Sequence, residues 1–211
     1  WPVFPLHTAI NGACSCGKVS CESKGKHPRT ARGFKEATDD LEQIRKWWVR
    51  WPTSNIGIAT GNSIGVIDID GEEGAKEFKA LVATYGPLPP TLLAQTGNGF
   101  HAFFATRPGA GELRSTAVGK VHTRGKGGYV VVAPSLHANG RRYQWVKKNP
   151  LAVLPDWLRQ WSQGYKVVVP VVTQSFGHLP TYLKQNQYDP GKNLENSLAI
   201  PHSASEEARL V

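Results

Sequence analysis

Three stretches of the chain carry apolar residues at the spacing of an α-helix. The first, TDDLEQIRKWWVRWP, is expected to have Thr38 or Asp39 as its N-cap and to stop at Pro52. The second spans residues 74–85 and ends at Gly86, and the third, LPDWLRQW, begins at Pro155. The expected apolar faces consist of Leu41, Ile44, Trp48 and Trp51 in the first helix, and of Ala75, Phe78, Leu81, Val82 and Tyr85 in the second.

Short runs of β-branched and aromatic residues, separated by glycine turns, predict strands between and after these helices. NIGIATGNSIGVIDIDG predicts two strands around a Gly-Asn turn. TLLAQTG, FHAFFAT, KVHTRG, GYVVVAPS and RRYQWV predict a further run of mostly antiparallel strands. The pattern indicates an α+β domain over residues 1–165, of which residues 1–33 are loop-rich. Residues 166–211, rich in Pro, Gln, Asn and Ser, are expected to form a linker or irregular tail.

Charge narrows the range of partners. The 211 residues, 40% of them hydrophobic, suffice for one domain with a sizeable core, and their net charge of +9 attracts polyanions. Nucleic acid is therefore the expected partner.

No run approaches the roughly 18 apolar residues of a membrane span, so no membrane partner is expected. The start of the chain, WPVFPL, lacks the order of a signal peptide, and we expect a part of a cytoplasmic protein.

All three cysteines lie within eight residues, which favours a metal site over a disulfide framework. Cys14, Cys16, Cys21 and His27 give the spacing C-x-C-x4-C-x5-H, enough for a tetrahedral structural Zn²⁺ site, with His7 as another candidate for the fourth ligand. The alternative is three reduced structural thiols. A metal would hold this loop-rich segment together.

The same loop carries basic residues beside the metal-ligand pattern. If a metal makes the loop rigid, Lys26 and Arg29 are the basic residues expected to contact template phosphate or a triphosphate.

Two carboxylates interrupt the apolar run VIDIDG. Asp68 and Asp70 are two residues apart on a predicted strand, so both side chains project from one face. Two close carboxylates repel each other unless a cation lies between them, and Mg²⁺ or Mn²⁺ accepts oxygen ligands of this kind. The alternative is an exposed strand end, with the acids solvated or capping the next helix.

Histidine and basic side chains follow on the next predicted strands. His101 comes just after the glycine turn in TGNGFHAFF, where backbone N–H groups can approach an anion. His122 and Arg124 share one face of a strand, and Lys126 lies in the following glycine-rich turn. Phosphate binding is one interpretation of these residues. The alternatives are a core or surface histidine and a solvated hairpin.

Taken together and in order, seven segments resemble the N-terminal primase-polymerase domain of bifunctional replication proteins, within the archaeo-eukaryotic primase superfamily. The resemblance covers about residues 1–161. The matching segments are WPVFPL, GKHPR, ATDDLEQIRKWW, NIGIATG, VIDIDG, QTGNGFHAFF and TRGKGGYVVVAPSLHANGRRYQW.

The resemblance implies template-dependent nucleotidyl transfer on an RRM-like catalytic sheet. Asp68 and Asp70 would carry Mg²⁺ or Mn²⁺, and His101 would meet the incoming dNTP or NTP. The glycine turn with Thr96 and Gly97, and the APS segment with Ser135 and His137, would line the nucleotide pocket. The implied partners are a single-stranded DNA template, a primer and a C-terminal helicase domain in the full-length protein. The implied setting is replication in the cytoplasm of a bacterium or archaeon, or of a phage or plasmid.

One residue departs from the family pattern. The third acid of the metal site is expected two residues before the Arg of the RG turn, and His122 stands there instead. Loss of this negative charge between two dications should weaken transfer more than nucleotide binding, and imidazole suits Mn²⁺ better than Mg²⁺. The explanations are a Mn²⁺-preferring polymerase, an engineered substitution, or a binding module without catalysis. A metal-dependent phosphoesterase is a weaker alternative.

Overall fold

The structure is a computed structural model that describes residues 1–106 and 113–164. The predicted tail, residues 166–211, lies outside the described residues. None of the helices in the described ranges has the length and hydrophobicity needed to cross a bilayer.

The described residues form short strands and three α-helices. In the first half of the chain they are β1 (Val3–Leu6), β2 (Ala9–Ile10), β3 (Ala13–Cys14), a 3₁₀ turn (Gly33–Glu36), α1 (Leu41–Arg50), β4 (Asn55–Ala59), β5 (Ile64–Ile69) and α2 (Gly71–Tyr85). In the second half they are β6 (Leu92–Gln95), β7 (Phe100–Ala105), β8 (Thr116–Val118), β9 (Val121–Arg124), β10 (Tyr129–Val132), β11 (Gln144–Lys148), β12 (Ala152–Val153) and α3 (Asp156–Ser162).

The strands form two sheets and a small hairpin. The larger sheet has the order β11-β6-β7-β5-β9-β8 with antiparallel neighbours, and β12 runs parallel to the end of β7. The smaller sheet has the antiparallel order β1-β4-β10, and β2 pairs with β3. The predicted mixture of helices and antiparallel strands is confirmed. The more specific RRM-like topology stays a prediction.

The predicted strands on either side of the Gly-Asn turn do not pair with each other. β4 belongs to the smaller sheet and β5 to the larger one, so the turn carries the chain between sheets. Gly61 in this turn has a φ of 118°, and a Cβ there would lie 2.4 Å from the Cα of Lys126. Only glycine fits this crossing.

Successive side chains of β7 point to opposite faces of the larger sheet, and both faces are buried. Phe100, Ala102 and Phe104 pack with α2 and α3, whereas Phe103 packs with Val66 and with side chains of the smaller sheet. The order of layers is therefore α2 and α3, the larger sheet, the smaller sheet, and α1. The outermost helix, α1, packs on the smaller sheet through Trp47.

The first helix differs from its prediction at its cap and on its buried face. Asp40 is the N-cap, because its carboxylate accepts a hydrogen bond from the Glu42 N–H at 2.9 Å. The prediction of Thr38 or Asp39 was wrong. Trp47 is the buried residue of the helix, whereas Leu41, assigned to the apolar face, is 67% exposed. The two adjacent tryptophans made the orientation ambiguous, and contact with β1 decides it.

The other two helices agree more closely with the sequence. The second starts at Gly71, three residues before its predicted start, and buries Ala75 and Phe78 as expected. Gly86, with a φ of 104°, follows its last residue. The third helix follows Pro155 as predicted.

Candidate functional site

An open cleft of about 430 Å³ lies where the two sheets meet the loop that carries the cysteines. Strand ends and turns that are far apart in sequence form its walls. Eight of the residues selected from the sequence line the cleft: Lys26, Asp68, Asp70, Thr96, His101, His122, Arg124 and His137.

Strand register brings the central group together. Strand β5 lies between β7 and β9, and Asp68 is directly opposite His101 on one neighbour and His122 on the other. Residues opposite each other in adjacent strands project from the same face. Arg124, two residues after His122, shares that face.

Asp68 lies at the centre of this group and contacts its other members. Its Oδ1 lies 3.2 Å from His101 Nε2, and its Oδ2 lies 3.5 Å from Arg124 Nη2. His122 Nδ1 is 3.9 Å from the same Oδ2. Burial by itself would raise the pKa of Asp68. The hydrogen bond from His101 and the positive charges around the carboxylate outweigh burial and lower the pKa to about 2.

The two histidines around Asp68 present different nitrogens. His122 Nε2 lies 3.2 Å from the Gly119 carbonyl, which can only accept, so this nitrogen carries the proton. Its Nδ1 accepts from Arg124 Nη2 at 3.4 Å, so the single lone pair of this nitrogen is engaged with the guanidinium. His101 is 5% exposed, and its Nδ1 is buried with no partner among the described residues. His101 is thus fixed through Nε2 alone, whereas His122 can offer Nδ1 as a ligand atom once that nitrogen gives up its contact with Arg124.

Asp70 follows β5 and occupies the N-cap position of α2. Its backbone is extended, with φ of −103° and ψ of 114°, and its side chain makes no capping hydrogen bond. The carboxylate is exposed to the cleft instead of closing the helix end. Asp68 and Asp70 therefore both offer oxygen atoms to the same space, as a divalent cation requires.

Asp68, Asp70 and His122 nevertheless do not form a compact three-ligand group. Within residues 1–106 and 113–164, only the cysteine loop brings three or more Cys, His, Asp or Glu ligand atoms within 4.8 Å of one another. Arg124 and His101 each contact one carboxylate oxygen of Asp68 in this arrangement. A divalent ion that uses Asp68 must therefore compete with these two side chains.

The wall opposite Asp68 carries His137, which depends on Gly97. A Cβ at Gly97 would lie 2.1 Å from the imidazole ring of His137. The Asn139 N–H donates to His137 Nδ1 at 3.2 Å. Burial lowers the pKa of His137, so the ring is neutral and its proton lies on Nε2. Thr96 holds the glycine turn, since its hydroxyl accepts from the Gly99 N–H at 2.9 Å.

Besides Gly97, which packs against the ring of His137, three residues predicted to bind nucleotide lie outside this lining. Ser135 accepts from the Ile56 N–H at 2.9 Å and joins two backbone segments of the fold. Arg29 donates to Ser15 Oγ at 2.7 Å. Lys126 is in the turn after β9, where its backbone packs on Gly61. Their roles in nucleotide binding stay predictions, without support from their position.

Two tyrosines in the cleft were not selected from the sequence. Tyr143 is 4% exposed, lies between the rings of His101 and His137, and has centroid distances of 6.0 Å to each. Burial, together with the negative charges of Asp68 and Asp70, raises its pKa far above the usual value, so its hydroxyl stays protonated. Tyr129 is the second. Both occupy β-strand-like stretches, where an aromatic residue is ordinary core material.

The cysteine loop brings together the four residues that its spacing predicted as metal ligands, and the group could hold a metal ion. The ligand atoms of Cys14, Cys16, Cys21 and His27 all lie within 4.8 Å of one another, and Cys14 Sγ is 3.4 Å from His27 Nε2. Tetrahedral Zn²⁺ with Zn–S bonds of about 2.3 Å separates sulfur ligands by about 3.8 Å, so these residues fit the ion. His7 is not in the group. Its Nδ1 lies 3.0 Å from Ser15 Oγ and its ring stacks on that of His27.

The cysteines are free thiols rather than disulfides. Burial raises the pKa of the Cys14 thiol, but hydrogen bonds from the backbone of Cys16 and Gly25 and from His27 lower it to about 6. A thiolate is the form that binds metal. Cys14 is therefore the thiol of the cluster that ionises most readily, whereas burial and hydrogen bonds with Cys14 and Cys16 raise the pKa of Cys21.

The depressed pKa of Asp68 predicts a specific acid sensitivity. The pKa of the Asp68 carboxyl is about 3.9 in the unfolded chain and about 2 in the folded protein. The ionised carboxylate therefore stabilises the fold fully above about pH 3.9, and this stabilisation is lost as the pH falls toward about 2. The difference in unfolding free energy between wild type and Asp68→Asn should shrink by about 2 kcal/mol between about pH 5 and about pH 2. Urea titrations of both proteins at each pH measure this difference in unfolding free energy. A difference that stays constant with pH would contradict a lowered pKa for Asp68.

Comparison with known proteins adds one match. A family model described as the N-terminal domain of bifunctional DNA primase/polymerase matches residues 1–157, which include the whole cleft and the cysteine loop. A search of curated proteins finds no match.

Proposed function

The chain belongs to the bifunctional DNA primase/polymerase N-terminal family, and on that premise we propose that its cleft performs template-dependent transfer of a nucleotide from a dNTP or NTP to a primer 3′-hydroxyl. One observation carries the proposal. Asp68 is held ionised beside Asp70, within a cleft whose other polar side chains suit a triphosphate. Carboxylates for the metal ions and donors for the phosphates are the two requirements of this reaction.

The residues of the cleft divide into metal-binding and phosphate-binding groups. Asp68 and Asp70 supply carboxylate oxygens, and His122 supplies Nδ1. Arg124 and Lys26 bring positive charge, and His137 donates through Nε2 to a phosphate oxygen. Bound Mg²⁺ or Mn²⁺ lowers the charge of the triphosphate and stabilises the leaving pyrophosphate.

The transfer forms a phosphodiester bond and breaks the phosphoanhydride bond between the α- and β-phosphates. The primer 3′-oxygen forms a bond to the α-phosphorus while the bond from that phosphorus to its bridging oxygen breaks. Pyrophosphate leaves with the electron pair, and the hydroxyl proton passes to solvent. The protein contributes alignment and electrostatic stabilisation, which supply most of the rate enhancement in reactions of this kind.

The histidine at position 122 is expected to weaken this reaction. It contributes a neutral nitrogen where the family pattern has a carboxylate, so the site carries one negative charge fewer. Imidazole favours Mn²⁺ over Mg²⁺. We therefore propose a catalytic domain with impaired Mg²⁺-supported transfer and better retained nucleotide binding.

The net charge of the chain suits nucleic acid. With a net charge of +9, the chain attracts the phosphates of a single-stranded template and a primer, and this attraction should weaken with salt. A cytoplasmic replication protein with a C-terminal helicase domain is the context proposed for it.

We further propose that the cysteine cluster holds structural Zn²⁺. Metal analysis of the purified protein should find about one zinc per chain, and Cys14→Ser should reduce that content severalfold, because three ligands hold zinc more weakly than four. Ser15→Ala is the matched control, since it changes a neighbouring residue that is not a ligand. Equal zinc contents in wild type and Cys14→Ser would contradict the site.

Primer extension tests the proposed activity. A labelled primer on a single-stranded template should lengthen with dNTPs and Mn²⁺, and the added nucleotides should follow the template sequence.

A second candidate is a non-catalytic module, favoured by the contacts of His101 and Arg124 with the two carboxylate oxygens of Asp68. Metal-independent binding to single strands, without extension, would support it. Release of nucleotides from a strand without extension would instead support a phosphoesterase.

A further inference from the structure

The cysteine loop and the cleft are joined through adjacent residues. His27 is a member of the metal cluster, and Lys26, immediately before it, lines the cleft with Asp68 and Asp70. The Lys26 carbonyl accepts a hydrogen bond from the Tyr129 hydroxyl at 3.0 Å. A cluster residue is therefore the chain neighbour of a residue that faces the cleft.

A buried amide makes a second connection. Asn55, at the start of β4, is 3% exposed, and its Nδ2 donates to the Gly25 carbonyl at 2.9 Å and to the Leu136 carbonyl at 2.8 Å. The Leu136 N–H donates back to Asn55 Oδ1 at 2.8 Å. Leu136 precedes His137 in the opposite wall. One side chain thus ties the end of the cysteine loop to the segment that presents His137.

The cysteine loop has almost no core of its own. Between residues 10 and 24 only Cys14 is buried, and the largest apolar side chains, Ile10 and Val19, are 50% and 98% exposed. The segment is held instead by hydrogen bonds: Lys24 Nζ donates to the Gly12 carbonyl at 2.8 Å, and Ser15 Oγ accepts from the Thr8 N–H at 2.9 Å and from Arg29 Nη2 at 2.7 Å. Because little apolar surface is buried here, metal ligation by the four residues is expected to add much of the order of the loop.

We propose that the cluster of Cys14, Cys16, Cys21 and His27 is a positioning site for the nucleotide: the bound metal fixes Lys26 and, through Asn55, His137, and thereby sets the affinity of the cleft for a triphosphate. The inference rests on the proposed function, because it takes the cleft to bind a nucleoside triphosphate. It gives the metal a role beyond local stability. Asn55 is a positioning residue and Lys26 is a binding residue. The proposal involves no covalent step.

Binding measurements on four variants test the coupling. The probe is a fluorescent dATP analogue in Mn²⁺, with the wild-type protein loaded with zinc. Lys26→Ala should weaken binding roughly tenfold, the loss expected for one charge-assisted contact to phosphate. Cys21→Ser should weaken it at least as much, and the double variant should match Cys21→Ser within about twofold, because the metal acts through Lys26. Lys18→Ala, an exposed lysine of the same loop outside the cleft, is the matched control and should bind normally.

The nucleotide affinity of the double variant shows whether the metal acts through Lys26 or only stabilises the cysteine loop. If the losses from Cys21→Ser and Lys26→Ala multiply in the double variant, the metal does not act through Lys26 and the proposal is overturned. Normal nucleotide affinity in a folded Cys21→Ser protein without zinc overturns it equally.

Hydrogen exchange of the wild-type protein with and without zinc gives a readout independent of nucleotide. Zinc removal should accelerate exchange at residues 25–27 and also at Leu136, whose amide donates to Asn55. Acceleration confined to residues 13–22 would overturn the coupling. If zinc-loaded wild type binds no triphosphate at all, the proposed function fails, and the exchange pattern still shows whether the metal orders both walls.

Discussion

Asp68→Asn is expected to reduce primer extension at least about a thousandfold, which corresponds to roughly 4 kcal/mol of transition-state stabilisation. The substitution keeps the shape of the side chain and removes the charge. Asp68 lies at the meeting point of β5, β7 and β9, so no neighbouring carboxylate can replace it, and Asp70 alone offers too few oxygens for two cations. Extension rates under single-turnover conditions measure the effect.

Two measurements separate lost catalysis from lost structure. Thermal unfolding and far-UV circular dichroism should show that the Asp68→Asn variant is folded under assay conditions. Asp39→Asn, an exposed residue outside the cleft, is the matched control and should extend primers like the wild type. An Asp68→Asn protein that retains more than about a tenth of the activity would remove this carboxylate from the reaction.

His122→Asp is expected to raise Mg²⁺-supported extension by about tenfold to a hundredfold, with a smaller gain in Mn²⁺. Position 122 is opposite Asp68 on the adjacent strand, and its imidazole Nδ1 lies 3.9 Å from Asp68 Oδ2. A carboxylate placed there adds the negative charge that a second hard cation requires. Extension with each metal, titrated separately on both proteins, gives the ratio.

The control for this gain is His122→Asn, which matches the size of aspartate without its charge. It should not raise activity in Mg²⁺, because a neutral amide does not restore the missing charge. Equal Mg²⁺-supported rates for wild type and His122→Asp would show that residue 122 has no part in metal binding, and the expected impairment would then be wrong.

Local patterns along the chain were sufficient for the elements that neighbouring residues define. Period-two alternation placed Asp68 on the polar face of its strand, and His122 with Arg124 on the face of another. Ligand spacing identified the cysteine cluster, because its four members lie within 14 residues and close a short loop. These features depend on backbone geometry over a few residues, and the sequence shows that geometry directly.

Resemblance to a family went further than periodicity. It associated His101 and His122 with Asp68 across more than 30 residues of chain, which no local pattern can do. The strand register then brought these side chains within 4 Å of the carboxylate. The same resemblance also selected Ser135, which the fold uses to hold Ile56 instead of lining the cleft.

By itself the sequence determined the types and approximate ends of most helices and strands, the faces on which many of their polar side chains lie, and the four residues of the cysteine loop that could hold a metal. Only the tertiary structure decided that β4 and β5 separate into two sheets, that Trp47 is the buried residue of α1, that Tyr143 lies between two cleft histidines, and that Asn55 joins the cysteine loop to His137. The reason is physical. Dihedral preferences and side-chain periodicity act over a few residues, whereas the choice of neighbouring strands and buried partners depends on how the whole chain packs its apolar surface and satisfies its buried polar groups.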